Sequence, residues 1–479
     1  MEGPDERHDR YNTGVSRLLL SVIGGLALAL LFTSSPLGVI VLVLAPLGAV
    51  VAARHLDRRD RHVLFTILGV ALAARLAVVI GLFVLAIPDL SHLGAGALSG
   101  DQAYNLTRSL RTRDILRGFG GLTHYDYFVA TDEYGRTSYL SLLTLLQFMF
   151  GPAPFGLRLL NSLFFIGGAA ILFRVLRPRF GLLPSSLGLM VVLFMPSLFF
   201  ASVSVLKESL YFLASSVCLA AAIAAGRTRH PVALLALVAV AAASIWMLDD
   251  LRRGAVILSV SGLGCGIAIR ALGATRRPLA LAAAGVLATL ALVAVVAPLQ
   301  QRVLAGLTAA AKQHSGHVFT VGHAYKLLDD GFYMNPATPA ASRIVLTPGQ
   351  AIRFVARSAA TFVLTPLPWE ARSMSERAYL PEHLLWYLLV LMLPFGIAEG
   401  WRRDPWATAM VIGFVLPTAV TLAMTNGNIG TLLRLRGLVT PYIAWISALG
   451  FCVVADRLCA AWQGRAPAMS MPKPLRSGA

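Results

Sequence analysis

The chain has only four cysteines, Cys218, Cys265, Cys452 and Cys459, and all lie in or beside apolar stretches. That placement excludes a disulfide framework in an external loop and a cysteine-bound metal cluster. Charge is scarce as well: 13% of the 479 residues are charged against 57% hydrophobic, and the mean hydropathy is +0.71. A soluble protein of this length could not hide so much apolar surface, so a water-soluble globule is excluded. Lysine is nearly missing, with Lys207, Lys312, Lys326 and Lys473 the only four among 41 basic residues. No internal repeat of the transporter kind is seen. No small-residue cleavage motif clearly follows the first apolar run, which predicts a retained helix and not a cleaved signal peptide.

What the chain does have is a succession of apolar runs bounded by charge, Pro or Gly. They predict about twelve spanning helices, near 17–33, 37–53, 62–87, 156–173, 182–203, 209–226, 232–248, 255–270, 278–298, 382–398, 406–424 and 437–456. The expected fold is an all-α, polytopic integral membrane protein. Residues 1–88 form an N-terminal stub plus three spans, 89–155 a first outer loop, and 156–298 further spans. A second outer segment covers 299–381, the last spans 382–456, and a basic cytoplasmic tail 457–479, Pro/Ala/Ser-rich and expected to be disordered from about 463. The stretches 139–150 and 351–366 are short for a span, and are expected to lie on the membrane or pack against the bundle.

The net charge of +18 does not argue for nucleic acid. The cations gather in short connections: Arg54 to Arg61, Arg174/Arg177/Arg179, Arg227/Arg229, Arg270/Arg276/Arg277, Arg402/Arg403, and the tail. With the N-terminus inside, parity puts every one of them in the cytoplasm, as cationic loops require. The Arg and Ala bias suggests a bacterial cell membrane.

Against that pattern, a few polar residues fall at the outer rim. Asp101 follows an apolar span of about 26 residues and heads a loop with Tyr104, Arg108, Arg111, Asp126 and Glu133. An acid at a membrane exit, facing a basic and aromatic loop, suits chemistry on a lipid-linked anion. Lys207-Glu208 is an acid–base pair between two spans; it is either a site or a cap on two helices. Asp249-Asp250-Leu251-Arg252-Arg253 reads as a charge-balanced interfacial turn, and Trp369 as part of an aromatic belt. In Asn426-Gly427-Asn428-Ile429-Gly430, followed by Arg434 and Arg436, two arginines enter the last span against the charge rule. Guanidinium suits a bidentate grip on phosphate, and the glycines let backbone approach a ligand. His314, His317 and His323 lack metal-ligand spacing and read as loop residues.

The order of these features resembles the GT-C superfamily of membrane glycosyltransferases. The matching text is Gly100-Asp101-Gln102-Ala103-Tyr104, with Leu110, Arg111 and Gly118 after it. Like the protein O-mannosyltransferase and aminoarabinose-transferase branches, the chain then has Asp132-Glu133-Tyr134-Gly135-Arg136, a helix from Tyr139 to Phe150-Gly151, and Arg158-Leu159-Leu160-Asn161. Pro196, Ser202 and Lys207-Glu208 match a second outer loop. The likeness covers about 60–230. Beside Asp101 the usual second acid is replaced by Gln102, and the first two spans look like an added hairpin.

The resemblance implies transfer of a hexosyl or pentosyl group from a polyprenyl-(di)phosphate donor to a glycan, lipid or protein acceptor on the extracytoplasmic face, among membrane lipids and without nucleic acid. The chemistry then asks for a base on the acceptor hydroxyl, assigned to Asp101, with inversion at the anomeric carbon. Cations for the departing phosphate are assigned to Arg434, Arg436 and Lys207. Asp126 and Glu133 are the expected acceptor-side acids, with Glu208 and Tyr104 in support. No cofactor is certain, and a divalent metal, which Asp126 and Glu133 could bind instead of assisting the acceptor, is an option. A polysaccharide polymerase or ligase would centre on arginines instead of an acid. A transporter or flippase would want charges at mid-bilayer.

Overall fold

In the computed structural model the described residues are 35–463, except 55, 88–97, 99, 120, 122, 132–136, 276, 321–322, 334–344 and 371–373, together with a few between 21 and 33. The expected span at 17–33 falls mostly outside them, and Glu133 and the tail from 464 wholly outside. The described residues are overwhelmingly helical. Eight helices are long and apolar enough to cross a membrane, or up to ten if each of two bent pairs is one span.

Two compact units divide the chain. The first comprises Met1–Arg174, Pro196–Cys218 and Ala239–Val256. It holds α1 (Pro36–Ala52), α2 (Arg58–Ala86), α3 (Gly100–Leu116), α4 (His124–Thr131) and α5 (Ser138–Phe150), with most of α6 (Pro154–Phe180). At 29 residues α2 is about 44 Å long, more than a bilayer core requires. The expected 62–87 span is thus realised with a polar overhang at its start. Helix α5 has 13 residues and stays below spanning length.

The stretch expected as one span at 182–203 is two helices, α7 (Leu182–Phe194) and α8 (Pro196–Val203), bent by 58°. Pro196 has no N–H to continue the ladder, and it holds Met195 in an extended conformation (φ −59°, ψ 123°). The rest of the series is α9 (Glu208–Ala225), α10 (Pro231–Leu251), α11 (Ala255–Gly273) and α12 (Pro278–Val295).

The second unit comprises Val175–Met195, Leu219–Val238 and Ile257–Ala479. After α12 the chain turns by 100° into α13 (Ala297–Val318), again at a proline, Pro298. Next comes α14 (Pro348–Leu364), opened by a capping box between Thr347 and Gln350. The unit closes with α15 (Leu380–Arg403), α16 (Pro405–Thr425), α17 (Ile429–Arg436) and α18 (Thr440–Trp462). Helices α15 and α18 meet backbone to backbone. A Cβ on Gly396 would lie 1.8 Å from the Ile446 carbonyl oxygen, and one on Gly450 2.1 Å from that of Met392. Small residues at such crossings allow the dense packing that holds helices together in lipid. All four cysteines are free thiols.

Candidate functional site

Within the first unit the polar residues converge on one turn, Ser202 to Glu208, between α8 and α9. Its carbonyls are held by side chains from other helices. The Asn161 amide on α6 donates to Ser204 O (2.6 Å) and Leu206 O (2.8 Å), and its own oxygen accepts from Tyr139 of α5 (3.2 Å). Arg75 of α2 is fully buried, donates to Ser202 Oγ (2.8 Å) and lies over the Phe199 ring, 4.7 Å from its centroid. Asn105 of α3 donates to Val205 O (3.3 Å). The Asn161 and Asn105 bonds satisfy backbone oxygens that the break between α8 and α9 leaves without helical donors.

The Asn105 contact decides what the turn faces. Asp101 lies one helical turn before Asn105, at the exposed start of the same helix, and Arg108 lies one turn after it, buried. Tyr104 is 39% exposed, with its ring 5.8 Å from the Arg108 guanidinium. The face carrying Asp101 is therefore set beside the turn carrying Lys207 and Glu208. The Asp249-Asp250-Leu251-Arg252-Arg253 stretch joins them. Arg252 reaches to 3.9 Å from Glu208 and lies over the Tyr211 ring, while Glu208 Oε2 is buried without a hydrogen-bond partner. Asp250 accepts from the Ser138 amide (2.8 Å), and Asp249 from Gly254 and Val256 (2.9 and 3.2 Å). The sequence reading of this stretch as a balanced turn missed Arg252, whose neighbouring acids bond to backbone amides. Asn105 and Asn161 were missed as well, because asparagine carries no signal of its partners.

Asp126 is differently engaged. With Thr123 it forms a capping box at the start of α4, accepting from the Thr123 amide and hydroxyl (both 2.8 Å), while its second oxygen pairs with Arg111 Nε (2.8 Å). The Thr123 amide first, the Thr123 hydroxyl next and Arg111 after them hold its carboxyl below the usual carboxylate range. The Thr-x-x-Asp spacing was the available signal. Among the described residues no group of three or more His, Cys, Asp or Glu side chains could hold a metal ion.

Within the second unit, Arg434 and Arg436 lie on α17, a helix and not the loop the sequence suggested. Two residues apart on a helix means roughly 200° apart, so they face opposite ways. Arg434 is exposed, whereas Arg436 is 4% exposed. The Arg436 guanidinium donates to the carbonyls of Thr365 (2.6 Å) and Phe362, at the C-terminal end of α14, and lies over the Trp386 ring. Burial pushes its pKa down to about 10, which leaves it charged at neutral pH. A cation at a helix C-terminus meets both the free carbonyls and the negative end of the dipole.

The glycines also differ from expectation. A Cβ on Gly427 would lie 2.4 Å from the His314 carbonyl oxygen, so this glycine admits α13 and not a ligand, whereas Gly430 meets only Asn428 Oδ1, at 3.4 Å. His314 and His317 are on α13, not in a loop.

Comparison with protein-family models, with curated proteins and with solved structures finds no match to any of them. What fold and site together define is, among the described residues, an all-α architecture with eight to ten helices of membrane-spanning length and character.

Proposed function

We propose that the protein is a membrane glycosyltransferase of the GT-C kind, with about twelve spans, that moves a hexosyl or pentosyl group from a polyprenyl-phosphate-linked donor to a glycan, lipid or protein acceptor on the extracytoplasmic face of the cell membrane. The observation that carries this reading is the Asn105–Val205 contact, which sets the face bearing Asp101 beside the Lys207–Glu208 turn. Such a face offers an exposed carboxylate on the helix that meets the turn carrying Lys207, and the reaction needs a base and a cation.

Asp101 takes the proton of the acceptor hydroxyl as that oxygen attacks the anomeric carbon. The bond from the anomeric carbon to the phosphate oxygen breaks, and its electron pair leaves with the lipid phosphate. One displacement inverts the centre. Lys207 is the first unit's cation for the departing phosphate, and Arg434 is the second unit's candidate ligand for a donor phosphate. Arg434 suits that role by its exposure, while Arg436, bonded to carbonyls, shapes the wall behind it. Tyr104 and Glu208 line the acceptor side.

Asp101→Asn tests the assignment. The residue is exposed, so the isosteric amide should insert and fold normally. Transfer from a lipid-linked sugar to an acceptor should fall by about 100-fold or more, the size of a general-base contribution. Near-normal turnover by the folded variant would remove Asp101 from the mechanism and favour an arginine-centred polymerase.

A further inference from the structure

The second unit contains a strap that the proposed reaction does not use. Helix α13 places His314 and His317 on one face, three residues apart. Their Nδ1 atoms bond to consecutive carbonyl oxygens, His314 to Asn426 and His317 to Thr425, each at 2.7 Å. A carbonyl only accepts, so both rings carry their proton on Nδ1. Tyr325 OH gives the Asn426 oxygen a second donor at 2.6 Å. Backbone bonds finish the grip: Tyr325 N to Gly427 O (3.0 Å) and Ile429 N to His323 O (2.8 Å), around an isolated antiparallel bridge between Ala324 and Asn428. Asn428, thus held, is the N-cap of α17, its side-chain oxygen accepting from the Thr431 amide (3.2 Å). Arg434 rides on that helix.

We infer that His314 and His317 are positioning residues for Arg434: they hold Thr425 and Asn426 so that α17 starts where its exposed arginine can receive the donor's phosphate. The inference rests on the reading of Arg434 as a phosphate ligand. Five hydrogen bonds on a five-residue stretch are more than a surface connection needs. His314 lies flush against Gly427 only because that residue has no Cβ, which would lie 2.4 Å from the His314 carbonyl oxygen. A stretch held at this density moves with α13, so a change in either imidazole is felt at the arginine.

His314 is fully buried, and its removal risks misfolding, so half-exposed His317 is the probe. The asparagine amide nitrogen sits the same number of bonds from Cα as Nδ1, and the glutamine nitrogen one bond further. His317→Asn can therefore keep the bond to Thr425, while His317→Gln and His317→Ala lose it.

The measurement is binding of polyprenyl monophosphate, without sugar, to the full-length protein in lipid nanodiscs. Arg434→Ala should weaken binding about tenfold or more, and His317→Ala and His317→Gln about fivefold, the scale of one lost hydrogen bond. His317→Asn should stay within about twofold of wild type. If Arg434→Ala binds weakly while His317→Ala binds like wild type, the strap is only scaffold and the inference falls, with the arginine's role intact. Equal weakening in Asn, Gln and Ala variants would also sink it, because the Nδ1 bond would then not be the cause. If Arg434→Ala binds normally, the phosphate reading fails first and takes the inference with it.

Discussion

Arg434 and Arg436 look equivalent in the sequence and are opposites in the structure. One is exposed; the other is 4% exposed and meets the end of α14 with its guanidinium. Removing Arg436 strands the carbonyls of Phe362 and Thr365, so Arg436→Ala should cost about 2–4 kcal/mol of stability. Arg434→Ala should stay within about 0.5 kcal/mol. Unfolding of the two variants in detergent separates them, and equal stabilities would contradict the buried role. Asp126 makes a pH-dependent case. Its folded pKa lies below the unfolded value of about 3.9, so its contribution is present above that value and is lost as pH falls through the folded one. Amide exchange at the start of α4 should be faster in Asp126→Asn than in wild type at pH 7, and the gap should close only as pH falls through the folded value, which lies below about 3.9. A gap that persists there would show that the carboxylate's charge is not what holds the cap.

At the scale of elements, apolar length located most of the long apolar helices but not polar ones such as α3, α13 and α17. Expected spans at 209–226 and 406–424 are realised as Glu208–Ala225 and Pro405–Thr425, whereas 37–53 is a 17-residue helix, Pro36–Ala52, that stays below spanning length. Interruption was legible in part: Pro196 sat in plain view inside an apolar run, yet length outweighed it and two helices were read as one. Contact between distant elements was not legible. His314 and Asn426 are 112 residues apart, and no spacing rule connects them. The segment was read as a loop because its polar residues mask the helical period of α13. The arrangement of spans also predicts sidedness. Single cysteines introduced near 130 and 320 should react with a membrane-impermeant thiol reagent from outside, and those at 58, 178, 228 and 402 should not. Strong outside labelling at 178 or 228 would invert the assignment.

At the scale of the molecule, the first unit gathers the acid, the lysine and three supporting asparagine and arginine side chains around one break between helices. The second gathers the arginines around a short helix held by the strap. The polar groups of each unit are concentrated at a few backbone interruptions, Ser202–Glu208 in one and Thr425–Ile429 in the other, where carbonyls and amides lack helical partners. Asp101 and Arg434 were legible because an ionisable group beside an apolar run stands out. The residues that hold their surroundings in shape were not, because Asn161, His317 and Tyr325 show their purpose only through what they touch.

The strap also orders the making of the protein. A growing chain emerges from its N-terminal end, so α13 and its two imidazoles are translated long before Thr425 exists. Until α16 has been inserted, His314, His317 and Tyr325 have nothing to hold, and the aromatic rings of Tyr333 and Phe354 around His314 lack the loop that completes their packing. The segment after α12 must wait, unfastened, through the synthesis of about 100 residues. A chain that stops before α16 keeps that clasp open. Closure of the strap therefore waits on α16, whose end supplies Thr425 and Asn426 to the two imidazoles.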